Sequence, residues 1–148
     1  MNNEEWKMKS EEGRLGGMNC RNGLGGGSAR GRRNVLAEKS RSFALRIIKL
    51  FKYLQGKHEV VMSKQILRCG TSIGANVAEG VFAQTAEDFV SKNSIALKEA
   101  RETAYWIDLL SASGYLPDTD STRTLVSECN ELIAILVATV KTAKSHRR

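Results

Sequence analysis

Gln65-Ile66-Leu67-Arg68-Cys69-Gly70-Thr71-Ser72-Ile73-Gly74-Ala75-Asn76-Val77-Ala78-Glu79-Gly80 is the stretch whose reading decides the fold. Arg68, Ser72, Asn76 and Glu79 stand at steps of four, four and three, which a helix turns into one polar stripe. Gly70, Gly74 and Ala78 form a second stripe with almost no side chain, so the helix can be approached closely. A glycine inside a helix costs roughly 1 kcal/mol relative to alanine. Two of them one turn apart point to tight packing or a backbone kink that offsets the loss. The polar stripe reads in two ways. It is either the tolerated polar side of an amphipathic helix, or a buried or half-buried network that fixes how this helix crosses its neighbours.

Helical signals continue on both sides. Leu36, Phe43, Ile47, Leu50 and Leu54 share one face of a first helix that ends before Gly56, a suitable C-terminal stop. Arg41, Arg46, Lys49 and Lys52 occupy its other positions and make it basic outside. The second helix begins at Met62 to Lys64 and runs to about Gly80. Thr85 followed by Asp88 resembles a capping box and opens a third helix, with Phe89, Ala96, Ala100, Thr103, Ile107 and Leu110 facing the core. Gly114 and then Pro117 stop it. Asp118 or Asp120 caps a fourth helix that reaches about Ala143. Its stripe is Leu125, Cys129, Leu132, Leu136 and Val140, but Ile133, Ile135 and Val137 spread apolar surface well round the cylinder. Such a helix needs cover on most sides, so the reading favours an oligomer over a single bundle that wraps the helix alone.

Before Asn34 the character changes. Eight glycines lie among arginines and polar residues, with only Trp6, Leu15 and Leu24 as larger apolar groups besides methionines. Residues 1–33 are expected to form a disordered Gly/Arg-rich tail, because they cannot offset the entropy of ordering. Residues 34–148 form the helical domain. The glycines lack the lysine and hydroxyl of a phosphate loop and follow no strand. Arg30-Gly31-Arg32-Arg33 suits an arm that touches phosphates, yet a linker, or a product of an early start codon with Met8 or Met18 as alternatives, explains the segment equally well.

With 148 residues, 41% of them hydrophobic, the chain can bury one domain's core. Its formal charge of +7 favours anionic partners, nucleic acid first. Cys20, Cys69 and Cys129 are too far apart for a metal pair and odd in number, which fits a reducing compartment. No secretory signal pattern is present. The longest apolar run, Leu132 to Ala138, falls far short of the roughly 18 residues a membrane span requires. A cytoplasmic protein without a membrane partner is expected.

The quoted stretch, followed by Asp88-Phe89, Ile95-Ala96-Leu97-Lys98-Glu99-Ala100 and Glu102-Thr103-Ala104-Tyr105-Trp106, resembles the four-helix bundle family encoded in intervening sequences of bacterial 23S ribosomal RNA genes. Ser42-Phe43-Ala44-Leu45 and Ile47 to Tyr53 match as well, so the likeness covers roughly Asn34 to the end. Cys69 stands where that family commonly has serine, and the glycine-rich tail has no counterpart. The resemblance implies an all-α, antiparallel up-down four-helix bundle that assembles into a homopentameric ring. It also implies a tie to ribosomal RNA insertions, without a settled biochemical activity. The related accessory variability proteins of diversity-generating retroelements form basic pentameric barrels that associate with a reverse transcriptase and nucleic acid.

The residues themselves give the motif a structural role. If the second and third helices pack antiparallel, Arg68 can pair with Glu99 or Glu102, with Asn76 and Glu79 satisfying neighbouring groups and Ser72 on the same stripe. Catalysis has little support. His58 and His146 have no partner at metal-ligand spacing, and no serine sits in a nucleophile elbow. Glu79, Glu99 and Glu102 lack the Glu-x-x-His of di-iron bundles. No cofactor is expected.

Two binding readings follow. In the first, an oligomer presents Arg41, Arg46, Lys49, Lys52, Lys57 and Lys64 as a repeated basic surface for RNA or other nucleic acid, multiplying weak phosphate contacts by avidity. The bland alternative is that these are solvated charges. In the second reading the ring is a scaffold for a protein partner such as a reverse transcriptase. Aromatic content is too low to suggest a base-stacking platform, since Phe43, Phe51, Phe89 and Trp106 fit core positions better, and sequence-specific readout is not expected.

Overall fold

The computed structural model describes residues 34–146, and the expected disordered tail over 1–33 lies outside them. Among the described residues the chain is all helix and turn, with no strand: α1 (Val35–Gly56), α2 (Met62–Val81), α3 (Ala86–Ala112) and α4 (Asp120–Ser145). Each helix packs on the one before it, and α4 returns to α1, closing a four-sided bundle. Cross-helix pairs run in opposite directions along the chain. Arg68 meets Glu102 whereas Glu79 meets Lys92, and Lys39 meets Glu131 whereas Arg46 meets Glu128. Neighbouring helices are therefore antiparallel.

Each helix buries a stripe at steps of three and four. Phe43, Ile47, Leu50 and Leu54 of α1 meet Ile66, Cys69, Ile73 and Val77 of α2. Ala96, Ala100, Ile107 and Leu110 come from α3, and Leu125, Cys129, Leu132 and Leu136 from α4. On α3 the inward set differs from the expected one. Val90 and Asn93 are buried while Phe89 is only half-buried, and Asn93 satisfies its amide by donating to the Phe89 carbonyl at 2.9 Å. Phe51 and Trp106, also expected inside, are half-buried, and Trp106 packs against the core from its edge.

Gly70 and Gly74 face α1. A methyl group at Gly70 would stand 2.7 Å from Ile47 Cγ1, and one at Gly74 would stand 3.3 Å from the Ser40 carbonyl oxygen. Ala78, the third member of that small stripe, lies exposed, so the close approach spans one turn of helix.

The helix ends show which local signals operate. Asn34, Thr85 and Thr119 cap α1, α3 and α4, their side chains accepting from the amides of Ala37, Asp88 and Thr122. Thr119 replaces the expected aspartate cap. Asp120 is already the first helical residue, and both Asp118 and Asp120 instead hold Arg123. At the end of α1, Gly56 remains helical. His58 takes the left-handed turn at φ 59°, its amide donating to Gln55 O and that of Glu59 to Leu54 O, both at 3.0 Å. This is the paired bonding of a Schellman stop, with histidine where glycine is usual.

Glu59 then performs the task of a cap for α2, whose own first residues supply none. Its carboxylate accepts from the amides of Val61, Met62 and Ser63 at 3.0, 2.9 and 2.6 Å. Burial by itself raises the carboxyl, but those three amides outweigh it and hold Glu59 below the usual carboxylate value. The α1–α2 turn is thereby tied down, and with it Lys57 and the first turn of α2.

Candidate nucleic-acid interface

Helix α1 turns its Phe43–Ile47–Leu50–Leu54 stripe inward, which leaves Arg41, Leu45, Ile48, Lys49 and Lys52 exposed on the opposite side. Arg41, Lys49 and Lys52 make no ion pair with any described residue. Lys57 follows in the tied turn and Lys64 in the first turn of α2, both exposed and at the end of the bundle where α1 finishes. Lys64 likewise has no ion-pair partner among the described residues, and Lys57 places its ammonium 5.6 Å from the centre of the Tyr53 ring. Leu45 and Ile48 intervene between the charges, so the surface is a basic field with apolar patches.

Arg46 does not belong to this surface. It is 7% exposed, its Nη1 lies 2.8 Å from Glu128 Oε1, and its Nη2 donates to the Ser121 carbonyl at 3.1 Å. The reason is angular. Position 46 lies seven residues beyond Lys39, two turns along the same edge of α1, and that edge faces α4, where Lys39 holds Glu131. Arg46 is a pin between the first and last helices. Its Nε and Glu128 Oε2 are buried without partners.

The polar stripe of α2 lies on its shoulder toward α3, beside the core rather than in it. Arg68 reaches Glu99 at 3.5 Å and makes a short contact with Glu102, yet it is 52% exposed. The pair is therefore a clasp at the rim of the core, exposed at Arg68 and half-buried at Glu99 and Glu102, and of the buried or half-buried network expected only the half-buried form is present. Arg68 holds the Glu102 carboxyl below its usual value, burial opposes this, and the Trp106 indole, donating to the same oxygen at 3.3 Å, reinforces the lowering. Glu102 in turn raises the guanidinium of Arg68.

Asn76 donates to the Ser72 carbonyl of its own helix at 2.9 Å, and Ser72 is half-buried. Glu79 takes Lys92 of α3 in a second clasp and raises its ammonium. The stripe thus splits into two cross-helix clasps and one local bond. Eleven residues separate Arg68 from Glu79, about 16 Å of helix, so Glu79, Glu99 and Glu102 do not gather into a carboxylate site.

Lys92, Glu128 and Glu59 were not singled out in the sequence. Lys92 was recoverable from register alone: if Arg68 faces Glu102 across an antiparallel pair, Glu79 must face the start of α3. Glu128 required knowing which edge of α1 meets α4. Glu59 lies ahead of any recognisable cap position.

The described residues form no helix long and apolar enough to cross a membrane. No curated protein matches the chain. Among solved structures it is similar to the crystal structure, at 1.70 Å resolution, of a protein of unknown function from the S23 ribosomal protein family of Bacteroides thetaiotaomicron VPI-5482. The two share 44% sequence identity at a TM-score of 0.70, over 72% of this chain and 99% of that one. Residues 32–138 match the family described as 23S rRNA-intervening sequence protein. A match over that span of the bundle, together with the four packed helices, means that the chain belongs to the 23S rRNA-intervening sequence protein family.

Proposed function

We propose that this protein is a non-catalytic, cytoplasmic bundle that binds structured RNA through the basic surface of α1 and the α1–α2 turn. The observation that carries the reading is the contrast among its cations. Lys39, Arg46, Arg68, Lys92 and Arg123 are held by carboxylates, whereas Arg41, Lys49 and Lys52 of α1 and Lys64 beyond its turn form a group of exposed cations without an ion pair among the described residues; Lys98 and Arg101 of α3 and Lys141 and Lys144 of α4 are likewise exposed and unpaired among those residues. Such cations are available to phosphates, which they bind by displacing condensed counterions. With only a few per subunit, affinity depends on repetition, and a homopentameric ring supplies it. Support for assembly comes from Val126 and Val137 of α4, which remain about two-fifths exposed on their own bundle. Titration of structured RNA across a salt series tests the reading. Binding that weakens steeply with salt upholds it, and an absence of binding at low salt removes it. Light scattering tests the ring separately through the particle mass.

A second reading has its own observation. Phe82, in the α2–α3 turn, is 84% exposed beside the half-exposed Val81. Two large apolar side chains on one turn suit a scaffold for a protein partner, and a reverse transcriptase is the class that the retroelement resemblance implies. That contact would be indifferent to salt, which separates the two readings.

A further inference from the structure

We infer that α4 of one copy packs on α2 of the next, so that subunits join through two different faces, with Val137 of one copy set against Ala78 of its neighbour. The inference rests on the ring reading above and gives it an interface. Among the described residues, helix α2 packs only on α1 and α3, and α4 only on α3 and α1. The two therefore stand at opposite corners of the bundle, and each turns one side outward. On α2 that side carries Ala75 and Ala78, both exposed, in line with the half-buried Thr71. On α4 it carries Asn130, Ala134 and Val137, at the same steps of four and three, with the exposed Val126 one turn before them.

Height and charge make a second copy the occupant of these faces. Glu79 faces Lys92 across the α2–α3 seam, and the Cys129 thiol donates to the Ala100 carbonyl across the α3–α4 seam at 3.5 Å. Lys92 lies two turns before Ala100, about 12 Å of helix. Because α4 runs antiparallel, the residue level with Lys92 lies two turns after Cys129, at Val137. By the same reasoning Arg68, which faces Glu102, stands level with Ser127. Thr71, Ala75 and Ala78 are thus level with Asn130, Ala134 and Val137 to within a turn. One copy is carried onto the next by rotation alone, without the axial step that would wind an open filament. A foreign partner would need only one of the faces, and their agreement in height would serve nothing.

From Thr71 to Val81 the one charged residue of α2 is Glu79, which holds Lys92. From Ser127 to Val140 those of α4 are Glu128 and Glu131, which hold Arg46 and Lys39. The outward sides of α1 and α3 instead carry Arg41, Lys49, Lys52, Lys98 and Arg101, exposed and without ion pairs among the described residues. In a chain of net charge +7, copies that met through α1 or α3 would set like charges together, which is strongly unfavourable. Contact through α2 and α4 avoids this, and the α1 surface proposed for RNA is then repeated around the ring rather than buried in it.

Light scattering of the full-length protein, with a circular dichroism melt of each variant to check its folding, tests this. Ala78→Arg spoils the α2 face and Val137→Arg the α4 face. Ile95→Arg puts the same change on α3 at a residue of like exposure, 39% against 40%. Each of the first two is expected to reduce the parent assembly to single chains of 16.3 kDa, and Ile95→Arg to leave its mass unchanged. An equimolar mixture of Ala78→Arg and Val137→Arg keeps one sound interface and should form particles of two chains and no larger. If either variant melts well below the parent, Ala75→Arg and Ala134→Arg, one turn away on the same faces, take their places with the same expectations. Loss of mass in only one of the two, no loss in either, or a mixture that stays monomeric overturns the pairing of α4 on α2 while the ring stands. A parent protein of single-chain mass removes the ring and the pairing with it, and RNA titration of that monomer then decides the RNA reading by itself.

Discussion

Gly70 of α2 sits so close to Ile47 of α1 that an added methyl group would stand 2.7 and 2.8 Å from the two branches of the isoleucine. The contact turns the helix-breaking character of glycine into an advantage, because it lets the two backbones close. Gly70→Ala gains roughly 1 kcal/mol of helix propensity but overpacks a filled site, which typically costs about 1–3 kcal/mol. A net loss is expected from urea denaturation. Gly56→Ala, at a helical position where a methyl group meets nothing within 4 Å, is expected to stabilise instead.

Arg46 and Glu128 should matter more to stability than any exposed cation. Removing one partner of a buried pair typically costs about 3–5 kcal/mol. Glu128 is 36% exposed, which discounts that range and places Arg46→Ala below it, at about 2–3 kcal/mol. Arg68→Ala loses only an exposed clasp, on the order of 0–1 kcal/mol, and Arg41→Ala loses no ion pair. The expected order of denaturation midpoints is therefore wild type and Arg41→Ala highest, Arg68→Ala slightly below, and Arg46→Ala lowest. Equal midpoints for Arg46→Ala and Arg41→Ala would remove the pin from the account.

That ordering marks how far the sequence could be read. The periods of α1 to α4, the Thr85 cap and the Gly114 stop are local signals, and local signals give elements. Arg46 was misplaced because its role depends on which edge of α1 meets α4, a fact set by the other helices. The Arg68 clasp needed only the antiparallel register of adjacent helices and was legible; its exposure was not, since a few tens of degrees of helix rotation separate shoulder from core. Ala78 and Val137 belong to helices that do not pack on each other, and only the register of the folded bundle sets them level.

Glu59 predicts a specific acid sensitivity. Its folded-state pKa is lowered, so its contribution is fully present above the unfolded carboxylate value near 4.5 and is lost as pH falls through the folded value. Glu59→Gln should leave α2 short of its charged cap, lower stability at pH 7 by about 1–2 kcal/mol, and flatten the decline below pH 4.5. Thermal melts of both proteins from pH 7 to pH 3 check this. An undiminished decline in the variant would assign acid sensitivity elsewhere, with Glu102 the next candidate.

Cys69 and Cys129 should be inert in the folded protein. Burial pushes the Cys129 thiol up to about 12 and raises that of Cys69 as well, so neither supplies thiolate at pH 8. A chromogenic disulfide reagent is expected to label both only after denaturation. Rapid labelling of either in native buffer would mean that the α2–α3–α4 core opens.

The most direct test of the central claim is the RNA affinity of the protein and of Arg41→Gln/Lys49→Gln/Lys52→Gln, measured from low to moderate salt. Log affinity should fall linearly with log salt for the parent, by about 0.7–0.9 per phosphate contact. The triple variant, folded and of unchanged mass by light scattering, should bind more weakly and with a shallower slope. An unchanged affinity and slope in the variant would contradict the basic surface of α1 as the RNA site.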